Sequence, residues 1–349
     1  MRRSLAALAG AAFAMLALAG PALACGGLIG PNGAVNLLRT TTFAGYHDGV
    51  EHYVTAFEFA GGGGQFGSIT PLPAIPTDVV RGGDWTLQRL VRETDPVLER
   101  AAFSDVALDA AGSAEVLLET TIDALDITIL RGGGDEVGAW ARDHGFNLPP
   151  DAPEVLDFYA DRSPIFMAAA FDADAAAARG QQIGDGTPVH LTIPTDNPWV
   201  PLRILGLGKT AGETVQADVY LLTDETPALL PQPAGGLELA HSAAATDLLL
   251  SDLRADQGMG WVPDAAWLTK IEIDTAANDL TFDLAIDASG RGQPSLVDAG
   301  LAGRPAPPSA PIPNLALIVA LVAGVVVVPM LIGLGLVSAA RHQPPMAGA

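Results

Sequence analysis

Hydrophobic and polar positions alternate along most of the middle of this chain, with the two-residue period of strands. Residues 37–46 and 50–59 are rich in Thr, Val, Tyr and Phe, which suit a pleated, half-buried surface. Between them lies His47-Asp48-Gly49, and Asp-Gly is a strong two-residue turn signal. A hairpin is therefore predicted. In its second strand Tyr53, Thr55, Phe57 and Phe59 share one face, and His52, Val54, Ala56 and Glu58 share the other. The aromatic face is expected to be the buried one. Further strands are predicted over residues 65–70, 115–121, 126–130, 165–171, 189–193, 201–207, 214–222, 267–274 and 280–287.

Helical spacing is rarer. Leu87, Leu90, Val91 and Thr94 fall at i, i+3, i+4 and i+7 behind Asp84. A helix over 135–144 is stopped by Gly145. The next begins at Asp151, with Pro153 in its first turn and Glu154 placed as in a capping box. A last short helix is predicted around 244–253, and 172–186 reads as a polar, Ala- and Gly-rich loop. Paired strands with a few short helices predict an α+β fold with largely antiparallel sheets.

Two apolar stretches break this pattern. Residues 315–340 contain no charge, and Arg341 follows at once. At ~1.5 Å per residue such a helix exceeds the ~30 Å hydrocarbon core, so one transmembrane helix is expected to follow the α+β domain. Its glycines lack the four-residue spacing of a close-packing dimer face. At the other end, Arg2 and Arg3, an apolar run to Leu18 and Ala22-Leu23-Ala24 read as a cleavable signal peptide. The expected organisation is a signal peptide over 1–24, an extracytoplasmic domain over 25–303, a proline-rich stalk over 304–314, the membrane helix over 315–340 and a cytoplasmic tail over 341–349. Cleavage after Ala24 would leave Cys25, the sole cysteine, at the new N-terminus. Intrachain disulfides are thereby excluded, and Cys25 becomes a candidate for lipidation.

Charge narrows the partners. All 40 Asp and Glu and 15 of the 18 Lys and Arg fall in the exported region, giving it a net charge of −25. That field repels nucleic acid; its first reading is an acidic surface kept soluble by self-repulsion, and it could also attract basic partners or divalent cations. The candidate chemistry is sparse. His47, Asp48, Glu51 and His52 cluster at the hairpin turn, but the histidines are five apart rather than the four of a helical zinc motif. Asp172, Asp174 and Asp185 share one predicted loop without the spacing of an EF-hand. Arg203, in an apolar run, is expected to form a structural ion pair.

An ordered set of motifs runs through the exported region. It comprises Cys25-Gly26-Gly27, Phe66 through Pro71-Leu72-Pro73, Trp140, Gly145-Phe146, Pro149, Tyr159, Phe166, Pro201-Leu202-Arg203 and Trp267-Leu268-Thr269-Lys270. In this order and spacing it resembles the bacterial secreted or membrane-anchored proteins grouped as domain of unknown function 2330. Two departures stand out: Ser68 where the family often has Trp, and Lys270 where it usually has Arg. The resemblance implies a cell-envelope location and brings no catalytic residue with it.

The expected function is therefore a non-enzymatic binding or interaction module. Its expected partners are the membrane, through the single C-terminal helix, and an envelope protein or cell-wall component, with no nucleic acid and no resident cofactor. Two other classes fit the same sequence. One is an extracytoplasmic hydrolase, metal-dependent if His47 and His52 converge. The other is a calcium-stabilised adhesion module, if Asp172, Asp174 and Asp185 do.

Overall fold

The computed structural model describes residues 27–30, 33–34, 40–58, 66–95, 115–180 and 186–302. The signal peptide, Cys25, Phe59, Asp185, the stalk, residues 315–340 and the tail lie outside the described residues. Among the described residues no helix is long and apolar enough to cross a membrane.

In chain order the strands are β1 (Gly27–Gly30), β2 (Gly33–Ala34), β3 (Thr40–His47), β4 (Val50–Glu58), β5 (Phe66–Leu72), β6 (Asp78–Arg81), β7 (Glu115–Ile122) and β8 (Leu125–Arg131). They continue with β9 (Ile165–Phe171), β10 (Gly186–Pro194), β11 (Trp199–Val200), β12 (Thr214–Thr223), β13 (Ala228–Leu230), β14 (Leu237–Ala244), β15 (Trp267–Ala276) and β16 (Leu284–Asp287). The helices are α1 (Thr86–Thr94), α2 (Gly134–Asp143), α3 (Ala152–Ala160), α4 (Ala173–Ala178) and α5 (Asp247–Ala255). The fold is α+β with mostly antiparallel sheets, as the alternation predicted.

Asp48 and Gly49 both take positive φ, 51° and 78°, the geometry that closes a two-residue hairpin. The β3–β4 pair they create is the middle of a seven-stranded sheet ordered β14-β15-β12-β3-β4-β10-β6. Within it only β12 and β3 run parallel. A six-stranded antiparallel sheet, β2-β1-β5-β9-β8-β7, and a three-stranded one, β11-β16-β13, complete the framework. The seven-stranded sheet turns Ala44, Tyr53, Leu191, Val219 and Ile271 inward against Ile127, Met167 and Phe171 of the six-stranded sheet and Ile286 of the small one. Its outer face carries Phe43, Val54, Tyr220 and Leu268 beneath α1 and α5. The outer face of the six-stranded sheet is covered by α2 and α3 through Trp140, Leu156 and Tyr159. The layers are helices, sheet, sheet, helices.

That layering corrects several expectations. Both faces of β4 are buried, not the aromatic one alone, because its sheet is covered on both sides. Residues 201–207 do not form a strand. The Asp283 carboxylate accepts from the Leu202 and Arg203 amides at 2.7 and 2.9 Å, and the chain coils into a 3₁₀ turn over Arg203–Gly206. Residues 172–186 are not all loop, because Asp172 caps α4 by accepting from Asp174 and Ala175. The residues around 244 end a strand, β14, before Thr246 caps α5. At α3 the expected capping box is absent. Asp151 accepts from the Gly208 amide instead, and Glu154 pairs with Arg203, as the structural reading of that arginine required. Asp84 does not cap α1. A remote carboxylate, Asp256, accepts from the Asp84 and Trp85 amides at 3.0 Å and from the Thr86 hydroxyl at 2.7 Å.

Candidate functional site

The outer face of the hairpin sheet holds the densest group of polar aromatic side chains outside the structural ion pairs. His52 faces outward from β4, and His190 faces the same way from β10. The register sets them diagonally, with His52 opposite Thr192 and His190 opposite Val54. Their rings meet, His52 Nδ1 lying 3.0 Å from His190 Nε2. Trp261, from the loop after α5, lies flat on His52 with 3.8 Å between ring centroids and 1° between planes. Gly45, cross-strand from His52, makes room for it. A Cβ there would sit 2.1 Å from the indole, closer than any packing tolerates.

The Trp261 loop is tied down at both ends. At one end Asp256 grips the start of α1. Gly83 must lack a side chain there, since its Cβ would fall 2.1 Å from the Asp256 carboxylate. At the other end Arg254 donates to the Val262 and Pro263 carbonyls. The indole is therefore fixed over the imidazoles by contacts that neither histidine makes.

Burial holds both imidazoles neutral. It lowers His52 to about 3, with His190 and His47 acting in the same direction. It lowers His190 to about 4, against the pull of Asp78. His190 Nδ1 and the Trp261 indole nitrogen are buried without a hydrogen-bond partner. The neighbouring β4 residue, Glu51, points into the inner core and is fully buried. Neither of its carboxylate oxygens meets a partner at hydrogen-bonding geometry. Burial pushes its carboxyl up to about 8, and the Trp199 backbone amide offsets only part of that.

The sequence candidates are dispersed. His47 does not converge with His52 on a common ligand. Its Nδ1 lies 2.7 Å from Asp224 and its Nε2 3.4 Å from Asp48, on the exposed turn. Asp172 is occupied as the α4 cap, Asp174 lies in the first turn of that helix, and Asp185 is outside the described residues. Among the described residues no three His, Cys, Asp or Glu form a group that could hold a metal. His190 and Trp261 were not singled out from the sequence. The usable signal was a histidine in strand phase in Val189-His190-Leu191, together with a tryptophan set among Gly258, Gly260 and Pro263.

A separate cleft of about 360 Å³ opens at the start of α2, lined by Gly133, Gly134, Glu136, Leu148, Pro149 and Asp157 among others. Two of its three carboxylates are engaged. Glu136 accepts from the Gly133 amide and Asp157 from the Gly134 amide.

No curated protein matches the chain. Among solved structures it is similar to a mutated baculovirus P35 after caspase cleavage, with a TM-score of 0.40 and 8% identity over 71% of this chain and 99% of that one. A second structure of the cleaved mutant gives 0.39 and 7% over 73% and 98%. The caspase-8/P35 complex gives 0.37 and 7% over 71% and 95%. Residues 20–286 match the family described as an uncharacterized protein conserved in bacteria (DUF2330), and the chain belongs to that family.

Proposed function

We propose that the chain is a membrane-tethered protein of the bacterial cell envelope whose exported α+β domain is a binding or interaction module. The observation that carries this reading is the structural employment of three buried ionisable groups, Asp256, Asp283 and Lys270. Asp256 organises the start of α1. Asp283 accepts from Tyr159, from Arg162 and from two backbone amides. Lys270 is held by Asp95 and Glu272. Catalysis needs polar groups left free to meet a substrate, and these are committed to holding loops and strands together. The tether rests on the signal-peptide pattern and on the uncharged stretch over 315–340. The net charge of −25 in the exported region favours a partner with a basic surface.

Two measurements test the reading. The full chain and a version ending at Gly303 are expressed in a bacterium, exported and fractionated. The full chain is expected in the carbonate-resistant membrane fraction and the shortened one in the soluble extracytoplasmic fraction. Recovery of both in the cytoplasm overturns the tether. Photo-crosslinking in intact envelopes is then expected to give a discrete adduct with one envelope protein or wall fragment. Chelator-sensitive hydrolytic turnover by the purified protein overturns the binding reading and supports a hydrolase.

A further inference from the structure

His52 and His190 are an unusual use of two buried positions. Each sits on the outer face of a strand in a cluster otherwise built from Phe43, Val54, Leu90, Leu253 and Met259. An apolar pair of similar volume would fill the space without leaving polar atoms to satisfy. Instead two imidazole nitrogens face each other at 3.0 Å. One proton at most lies between them, so one of the two presents its lone pair to the other.

The geometry points to a binding site for one soft, monovalent d¹⁰ cation, copper(I) or its redox-inert analogue silver(I), held between His52 Nδ1 and His190 Nε2 and covered by the face of Trp261. The donor set selects the ion. Structural zinc takes four ligands and calcium takes six or more oxygens, whereas among the described residues no third His, Cys, Asp or Glu joins the pair. A cation satisfied by two nitrogen donors is what remains, and imidazole donors suit a soft d¹⁰ ion. Trp261 supplies the rest. Its ring is parallel to His52 at 3.8 Å, so a cation in the imidazole plane at Nδ1 lies over or beside the indole, inside the ~6 Å reach of a cation–π contact. His52 retains 9% exposure, which places the site one side-chain layer beneath the surface.

Binding balances without releasing a proton. The imidazole that donates in the empty pair moves its proton to its opposite ring nitrogen, and both facing nitrogens then ligate. On His190 that opposite nitrogen is Nδ1, which has no other partner. Gly258 leaves it room, a Cβ there lying 3.6 Å away. Linear two-nitrogen coordination at about 2 Å per bond needs a separation of about 4 Å, so the two rings, now 3.0 Å apart at the facing nitrogens, must turn apart by roughly 1 Å on binding. The ionisable groups whose charge reaches the pair are His47 at the end of β3 and Asp78 on β6.

The test is a titration of the full chain carrying Cys25→Ser, which removes the lone thiol. Copper(I) is delivered from a chromophoric chelator, and silver(I) is used in parallel. The expected result is one equivalent bound, with tryptophan emission quenched in step and Tm raised. H52Q and H190Q should each weaken binding by at least about tenfold. Trp261→Phe should abolish most of the quench while binding survives, a readout that does not depend on the histidine variants folding. The proposal is overturned if the Cys25→Ser chain shows neither quench nor Tm shift at one equivalent. Affinity in H52Q or H190Q equal to that of the Cys25→Ser parent, or equally tight binding of zinc(II), overturns it too. None of these outcomes bears on whether the domain is tethered or binds a partner.

Discussion

Glu51 gives the sharpest prediction about stability. It stands on β4 opposite Tyr46 of β3 and Ile193 of β10, in the core between the sheets, with no exposed surface. Its carboxyl is raised from 4.5 to about 8. The folded protein therefore keeps a proton that the unfolded chain gives up above pH 4.5. The sign follows directly. Stability from this group is fully present below pH 4.5, falls as pH rises, and levels off above pH 8, where both states are ionised. At pH 7 the loss amounts to about 3 kcal/mol, and above pH 8 to about 5 kcal/mol, at 1.36 kcal/mol per pKa unit. Glu51→Gln keeps the shape and cannot ionise. It should match the parent at pH 4.5 and exceed it progressively toward pH 8.5. The assay is urea denaturation of parent and variant from pH 4.5 to 9, comparing midpoints at constant slope. A stability difference independent of pH, or a variant less stable at pH 8.5 than at pH 4.5 relative to the parent, refutes the reasoning.

The other predictions concern neighbouring parts of the fold. His52 and His190 are lowered from 6.5 to about 3 and about 4, so their contribution is fully present above pH 6.5 and is lost as pH falls, by about 2 kcal/mol each at pH 5. H190Q should flatten this acid limb in the same urea series. Gly45→Ala puts a methyl where the Trp261 ring lies. It should cost about 1–3 kcal/mol and alter the near-ultraviolet circular dichroism as the indole is displaced. Asp256→Ala removes the acceptor for the Asp84 and Trp85 amides just before α1 and for the Thr86 hydroxyl. A loss of about 1–2 kcal/mol is expected in denaturant unfolding. Lys270 is buried, and its bonds to Asp95 and Glu272 raise its pKa against the downward pull of burial. Lys270→Met removes the cation shared by Asp95 and Glu272, whose side chains stay 40% and 37% exposed, so a loss of about 1–3 kcal/mol is expected. Lys270→Arg, which restores the residue usual in the family resemblance, should retain most of the stability. Differential scanning calorimetry of the pair checks this.

The framework was legible because it is written locally. Asp48-Gly49 fixes one turn, and strand alternation places β8, β9, β12 and β15 close to where they occur. Two of the errors share one cause, which is that distant carboxylates decide local structure. Residues 201–207 have the composition of a strand, yet Asp283, some 80 positions on, draws in the Leu202 and Arg203 amides and coils the segment. Asp84 stands at the start of the first helix, yet Asp256 takes the amides there. A backbone N–H goes to the strongest acceptor in reach, and chain separation does not enter that competition.

The histidine site shows the same limit from the other side. His52 was visible beside His47, and turn proximity suggested that those two belong together. In a strand, however, neighbours in sequence diverge, and partners are set by register. His47 ends its strand on the exposed turn, while His52 faces the helices and finds His190, 138 residues away. Gly45 was the readable clue. A glycine inside an otherwise β-branched and aromatic strand marks a close approach by something bulky. Here that is Trp261, seated on Gly45 and parallel to His52. Strand phase alone puts His52 and His190 on the outer faces of their strands. With a strand glycine and a glycine-flanked tryptophan as further constraints, these four residues define a site that no local motif contains.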